Sequence, residues 1–205
     1  MEEALPSQNL PVLFGNTAAN ASALDDIDAL HAAHERRIFQ FFLYNLRDRD
    51  AAYSLTQDTF VKVWRTRASF RGDCAPATWL MRIAHNLLLD HTRGGAFRFW
   101  RTADKHSVDA SLLAHTLAGH DASAEQTMIA REQVQALWRV LDGLSERQRT
   151  VFTLRYLEDM PLNEIATVTG IPLPTVKTHL YRALERVRAA MTSESQPTPS
   201  GRTAL

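Results

Sequence analysis

Between Ala77 and Arg93 the residues Leu80, Ile83, Ala84, Leu87 and Leu88 fall at i, i+3, i+4, i+7 and i+8. That spacing lays one continuous apolar stripe along an α-helix, whereas in a strand it would scatter over both faces. The same period returns at Leu30, His34, Ile38, Phe41 and Phe42, at Leu55, Thr59, Phe60 and Val63, at Ile129, Val134, Leu137 and Leu141, and at Val176, Leu180, Leu184 and Val187. No alternating strand pattern and no repeat of 20–50 residues accompanies it. The expectation is an all-α chain.

Breaker residues divide the helices. The first is predicted from the acidic pair Asp25-Asp26 to about Leu46, the second from about Asp50 to Thr66, and the third over 77–93, stopped by Gly94-Gly95. A second block opens near Ala124. Ser145 with Gln148 has capping-box spacing and starts a helix with Val151, Phe152, Leu154 and Tyr156 as core candidates. A short helix follows Pro161 and stops at Gly170, and a final one runs from about Pro174 to Met191. The organisation expected is a disordered extension at 1–24, a small helical domain at 25–95, a flexible linker at 96–124, a second helical domain at 125–191 and a disordered tail at 192–205.

Charge is distributed unevenly. The 205 residues carry 23 Lys+Arg against 23 Asp+Glu, which argues against a simple basic nucleic-acid binder. Yet residues 1–59 hold 4 basic and 9 acidic groups, residues 60–101 hold 8 and 2, and residues 102–125 hold 1 and 4. A basic centre between acidic flanks suits a polyanion on one face and a different partner on another. A lone cysteine, Cys74, excludes an intramolecular disulfide framework and makes a cysteine-based zinc site improbable. No apolar run reaches the ~20 residues of a membrane span, and MEEALPSQNL has no apolar core of a secretory signal. The expectation is a soluble, cytoplasmic protein. Enzyme signatures are missing: there is no phosphate loop, nucleophile motif or carboxylate pair, and His31 with His34 lacks a third metal ligand.

Two constellations remain. The short helix, the Gly170-Ile-Pro turn and the final helix form a helix-turn-helix pattern. With Val176, Leu180, Leu184 and Val187 turned inward, the outer face carries Thr175, Lys177, Thr178, Tyr181, Arg182 and Glu185, groups that reach base edges and phosphates from a major groove. An ordinary antiparallel helix pair with a polar face would share that pattern. On the third helix Trp79, Arg82, Asn86 and Arg93 occupy a face distinct from the apolar stripe, after a loop with Phe70, Arg71 and Asp73 beside Gly72. An aromatic plate, an amide and guanidinium groups suit unstacked bases and phosphates, although a Trp near a helix start also packs into cores.

These residues carry a resemblance. FRGDCAPATWLMRIAHNLLLDHTR (70–93), preceded by SLTQDTFVKVWR (54–65), resembles the second conserved region of bacterial extracytoplasmic-function (ECF) sigma factors, and LSERQRTVFTLRYLEDMPLNEIATVTGIPLPTVKTHLYRALERVR (144–188) is similar to their fourth. The resemblance implies that Leu55, Gln57, Asp58, Phe60, Val63 and Trp64 lie on or under the surface that docks on core RNA polymerase. It implies that Phe70, Arg71, Asp73, Trp79, Arg82, Asn86 and Arg93 engage the non-template strand of the −10 element, and that Thr175, Lys177, Thr178, His179, Tyr181 and Arg182 read the −35 element as duplex. It further implies promoter opening by base capture without ATP, and the partners core RNA polymerase, promoter DNA and an anti-sigma protein, often membrane-anchored in the family. No cofactor, metal or small-molecule substrate is implied.

The chain departs from the family at Tyr53-Ser54, where an acidic pair is common, and at His179, where a basic residue is common. The cluster Phe97-Arg-Phe-Trp-Arg101 has no counterpart, and packing against the first domain is the favoured reading. The alternative is a polymerase-independent helix-turn-helix regulator, because TVKTHL (175–180) is also similar to the recognition helix of LuxR-type response regulators. Residues 50–93 look nothing like a phosphoacceptor or ligand domain, which weighs against it.

Overall fold

The computed structural model describes residues 26–94 and 123–194. The 1–24 extension, the 97–101 cluster, nearly all of the 96–124 linker and the tail from 195 lie outside the described residues. Seven α-helices follow: α1 (Ile27–Leu46), α2 (Arg49–Thr66), α3 (Pro76–Arg93), α4 (Ala124–Asp142), α5 (Glu146–Phe152), α6 (Leu162–Thr169) and α7 (Leu173–Glu194). A 3₁₀ turn, Arg67–Ser69, extends α2, and a π-helical turn, Thr153–Leu157, extends α5.

Local chemistry explains the helix starts. Asp26 and Asp48 accept from the backbone N–H groups of Ala29 and Ala51, each at 2.9 Å, which satisfies a donor left unpaired in a first turn. Ser123 with Gln126 and Ser145 with Gln148 close full capping boxes on α4 and α5. Pro76 sits in the first turn of α3, where its missing N–H costs nothing. Gly170 takes φ +67° after α6, and its N–H reaches the Ala166 carbonyl at 2.9 Å. A Cβ there would meet no neighbour within 4 Å, so glycine serves the left-handed backbone rather than a close approach.

The apolar stripes meet as expected at most positions. Ile38, Phe41, Phe42 and Leu43 of α1, Val63 of α2, and Leu80, Met81, Ala84 and Leu88 of α3 are almost fully buried. Leu141, Val151, Leu154, Ile165, Val168, Val176 and Ala183 fill the C-terminal block. Two core expectations are corrected. Ile129 is exposed on the first half of α4, which extends past the helices it packs against further along, at Trp138 and Leu141. Tyr156 is 50% exposed because the π turn, closed by the Glu158 N–H to the Thr153 carbonyl, breaks the 3.6-residue register that would have turned it inward. Its ring instead stacks on Phe152 at 4.9 Å between centroids.

The two helical blocks share one continuous apolar cluster. Helix α3 packs on α6, and α1 packs on α5 and the π turn. Among the described residues no helix is long and apolar enough to cross a membrane, and no group of three or more His, Cys, Asp or Glu side chains is placed to hold a metal ion.

Candidate nucleic-acid and polymerase interfaces

On α3 the helical period separates two faces. Thr78, Leu80, Met81, Ile83, Ala84, His85 and Leu88 point inward, which leaves Arg82, Asn86 and Arg93 exposed on the other side. Trp79 lies between them, half-buried, with its ring 5.2 Å from that of Phe70 and tilted by 51°. Phe70 is therefore the loop's anchor to the helix. Arg71 and Asp73 stay exposed around Gly72, whose φ of +76° turns the loop. The structure thus brings all seven residues expected at the separated strand to one helix face and the loop before it. Cys74 is half-buried beside them, and burial pushes its thiol above the ordinary range, away from thiolate reactivity.

His85 belongs to the inward face. Its ring is buried and its Nδ1 has no hydrogen-bond partner among the described residues. Burial holds its pKa down to about 4 against the opposing pull of Glu146, with Arg93 adding to the depression. The neutral ring is the folded form, so this group's contribution to stability is complete above pH 6.5 and is lost as pH falls through 4. A depression of that size is worth on the order of 3 kcal/mol. Glu158, pushed up to about 7 by burial, runs the other way and gains stability as pH falls through 7. The His85 contribution is isolated by comparing urea midpoints of the parent and His85→Gln. The variant's relative stability should rise steadily from pH 7 to pH 4.5. A difference that does not change with pH would show that the ring is not held neutral.

On α2 the stripe read from the period, Leu55, Thr59, Phe60 and Val63, is the buried face. Leu55, Phe60 and Val63, expected at the polymerase surface, are buried, and Phe60 lies against the His31 ring at 4.4 Å. They support the surface from beneath. Gln57 is half-buried, Asp58 is exposed, and Trp64 is 49% exposed with the Arg67 guanidinium 3.5 Å above its ring. Tyr53 and Val61, 59% and 47% exposed, lie on the same outer side of α2, and Val61 was not singled out in the sequence. The spacing of Tyr53, Gln57, Val61 and Trp64 marks one helical stripe, which was the available signal.

In the C-terminal block, Val176 and Ala183 bury one side of α7, with Leu180, Leu184 and Val187 half-buried beside them. Thr175, Lys177, Thr178, Tyr181 and Arg182 are exposed, and His179 is half-buried. Burial and the nearby charges of Arg147 and Arg182 lower the His179 pKa. The Thr178 hydroxyl donates to the Pro174 carbonyl at 3.0 Å, which leaves an oxygen lone pair outward. The helix is fixed to the block by Arg186, which donates to the Gly143 carbonyl at 2.6 Å.

The relation between the two faces was not legible beforehand. Arg82 and Asn86 form one wall of a cleft whose other wall is Ala166 to Pro172, the turn of the helix-turn-helix. Thr78 donates to Glu164 at 2.7 Å and Thr92 donates to Glu146 at 2.8 Å across the same boundary.

Residues 30–107 match the family described as Sigma-70 region 2, and residues 134–187 match Sigma-70, region 4. The chain is 30% identical over 167 residues to the RNA polymerase sigma-H factor of Pseudomonas aeruginosa, covering 80% of this chain and 85% of that protein. It is 32% identical over 134 residues to the ECF RNA polymerase sigma-E factor of Escherichia coli, covering 65% and 70%. Among solved structures it resembles the sigma factor RpoE in complex with the anti-sigma factor NepR from Bartonella quintana, with a TM-score of 0.60, 20% identity and coverage of 82% and 98%. It also resembles CnrH in complex with the cytosolic domain of CnrY, with a TM-score of 0.62, 23% identity and coverage of 87% and 96%. At those identities the two structures speak to the fold. With both regions matched in order over an all-helical fold, the chain belongs to the extracytoplasmic-function group of sigma-70 family RNA polymerase sigma factors.

Proposed function

We propose that this sigma factor acts in the cytoplasm, binds core RNA polymerase through the exposed stripe of α2, reads a −35 element with α7, and captures bases of the opened −10 element on α3. The observation that carries this reading is the split of α3: its apolar stripe is consumed by the core, while Arg82, Asn86 and Arg93 stay exposed together with half-buried Trp79 at their edge. Core binding rests on Tyr53, Gln57, Asp58, Val61 and Trp64 above a floor of Leu55, Phe60 and Val63. Each DNA-reading face alone is small, and polymerase supplies the effective concentration that lets both engage. A chain with 23 basic and 23 acidic residues can then read promoters although it has no net attraction for DNA. The solved relatives held by anti-sigma proteins support a protein partner of that class for this chain as well.

Exposed Arg182 tests the recognition helix. In holoenzyme, Arg182→Ala should weaken promoter binding by about 1–3 kcal/mol and relax discrimination at one −35 position, as loss of a base-edge contact does. A uniform loss over all sequences, with a shallower salt dependence, would make Arg182 a phosphate contact instead. An unchanged affinity would place the DNA on a different face of α7.

A further inference from the structure

The start of α5 brings to the recognition helix a cation that the sequence did not single out. Helix α7 packs on α5, α6 and α4. Two arginines of this block are spent on carbonyls. Arg149 donates to those of Leu141, Asn45 and Leu144 at 3.0, 3.1 and 3.4 Å, and Arg186 donates to that of Gly143 at 2.6 Å. Arg147, in the first turn of α5, and Arg182, on α7, are exposed and make no hydrogen bond or ion pair among the described residues. Both lie close enough to His179 for their charges to act on its ring.

The carboxylates that could offset these charges are directed elsewhere. Glu146, next to Arg147, accepts from Thr92 at 2.8 Å. Glu164, the acidic residue of α6, accepts from Thr78 at 2.7 Å. Asp142, at the end of α4, pairs with Arg47 at 2.6 Å. Glu185 stands six positions beyond His179, nearly two turns along α7. The corner is therefore short of negative charge. His179 is half-buried at the margin of the outward face, and Arg147 stands on the neighbouring helix. A duplex lying on that face brings its backbone to such a margin, and a phosphate offers oxygens to which a guanidinium and an imidazolium can both donate.

We propose that Arg147 and His179 seat a backbone phosphate of the −35 duplex, and that the imidazole takes up a proton as the phosphate arrives, so that −35 binding tightens as pH falls. The proposal rests on the function proposed above. In the free chain burial, and after it the charges of Arg147 and Arg182, hold the imidazole below its ordinary range, so the neutral ring dominates at pH 7. The phosphate offsets the arginine charges and favours the imidazolium. Between the free and bound pKa values the complex holds more protons than the free chain, and affinity there rises by up to about tenfold per unit fall in pH. Above the bound value and below the free one this group leaves affinity unchanged. Arg182 stays available to a base edge.

The test uses holoenzyme and a duplex bearing the −35 sequence that the holoenzyme selects from random DNA, with affinity measured at pH 6 and pH 8 at one ionic strength. The parent should bind at least about threefold more tightly at pH 6. His179→Gln should bind weakly at both pH values and His179→Arg tightly at both, each with most of the pH difference gone. Titrations within polymerase cancel when variant and parent are compared. Arg147→Ala, at an exposed position, should lower the slope of log affinity against log salt by about one while the selected −35 sequence stays the same. No pH difference in the parent, a difference that survives in His179→Gln, or a salt slope untouched by Arg147→Ala would overturn the seat. If the holoenzyme selects no −35 sequence at any pH, the assigned reading of α7 fails. The same pH and salt comparisons on unselected duplex then still decide the seat, because every duplex offers the phosphate.

Discussion

Holoenzyme carrying Asn86→Ala should bind promoter duplex as closed complexes and fail to open it efficiently. Asn86 is exposed on α3, three residues beyond the buried core side chain of Ile83 and away from the stripe that packs, so its truncation leaves the fold intact. The proposed −35 contacts lie on α7, away from this change, and should survive it. An amide paired to a base edge is worth about 1–3 kcal/mol, so the opening equilibrium should fall roughly 5- to 150-fold. Permanganate reactivity of thymines in the −10 region measures it, and a template with a pre-melted bubble should restore transcription. Asn86 is a cleaner probe than Trp79, whose ring packs on Phe70 and against the core. Wild-type opening of linear DNA by Asn86→Ala would move the separated strand to another surface.

The largest loss of stability is expected in the α1 core. Phe42 is fully buried, its ring 5.6 Å from that of Phe41, in the most densely buried stretch of the helix. Phe42→Ala removes a large apolar side chain from a site walled by other helices, at a cost of about 3–5 kcal/mol. The urea midpoint should fall by at least about 1 M with little change in slope. Polymerase binding should decline in step with the fraction folded, because Phe42 contacts no partner. A loss of binding without a loss of stability would mean that Phe42 is exposed in the working conformation.

Periodicity and capping made most of the secondary structure legible. Helices α1, α2 and α3 begin and end within about a residue of the positions read from Asp26, Asp50, Ala77 and Arg93, because local side-chain chemistry decides those boundaries. Tyr156 was misread because a π turn is an irregularity that helical spacing cannot show. On α2, periodicity placed Leu55, Thr59, Phe60 and Val63 on one face, and all four are buried, whereas Trp64, grouped with three of them only by the resemblance, faces solvent with Tyr53 and Val61. Helical spacing separates the two sides of such a helix, and a list of conserved-region residues does not. The contacts between the blocks left no trace at all: Arg37 and Glu158 are 121 positions apart, Arg47 and Asp142 are 95 apart, and neither pair belongs to a period or a motif. Such ion pairs depend on how finished surfaces meet.

The central claim is that this chain confers promoter recognition on core polymerase and does not recognise promoters alone. Core polymerase and fragmented genomic DNA from the source bacterium are combined with the purified chain, and run-off transcripts are mapped to their start sites. The account predicts discrete new start sites that require both chain and core, sharing one −35 and one −10 sequence, with the free chain binding those fragments only weakly at physiological salt. Tight, sequence-specific duplex binding by the free chain, with no new start sites when core polymerase is added, would contradict it.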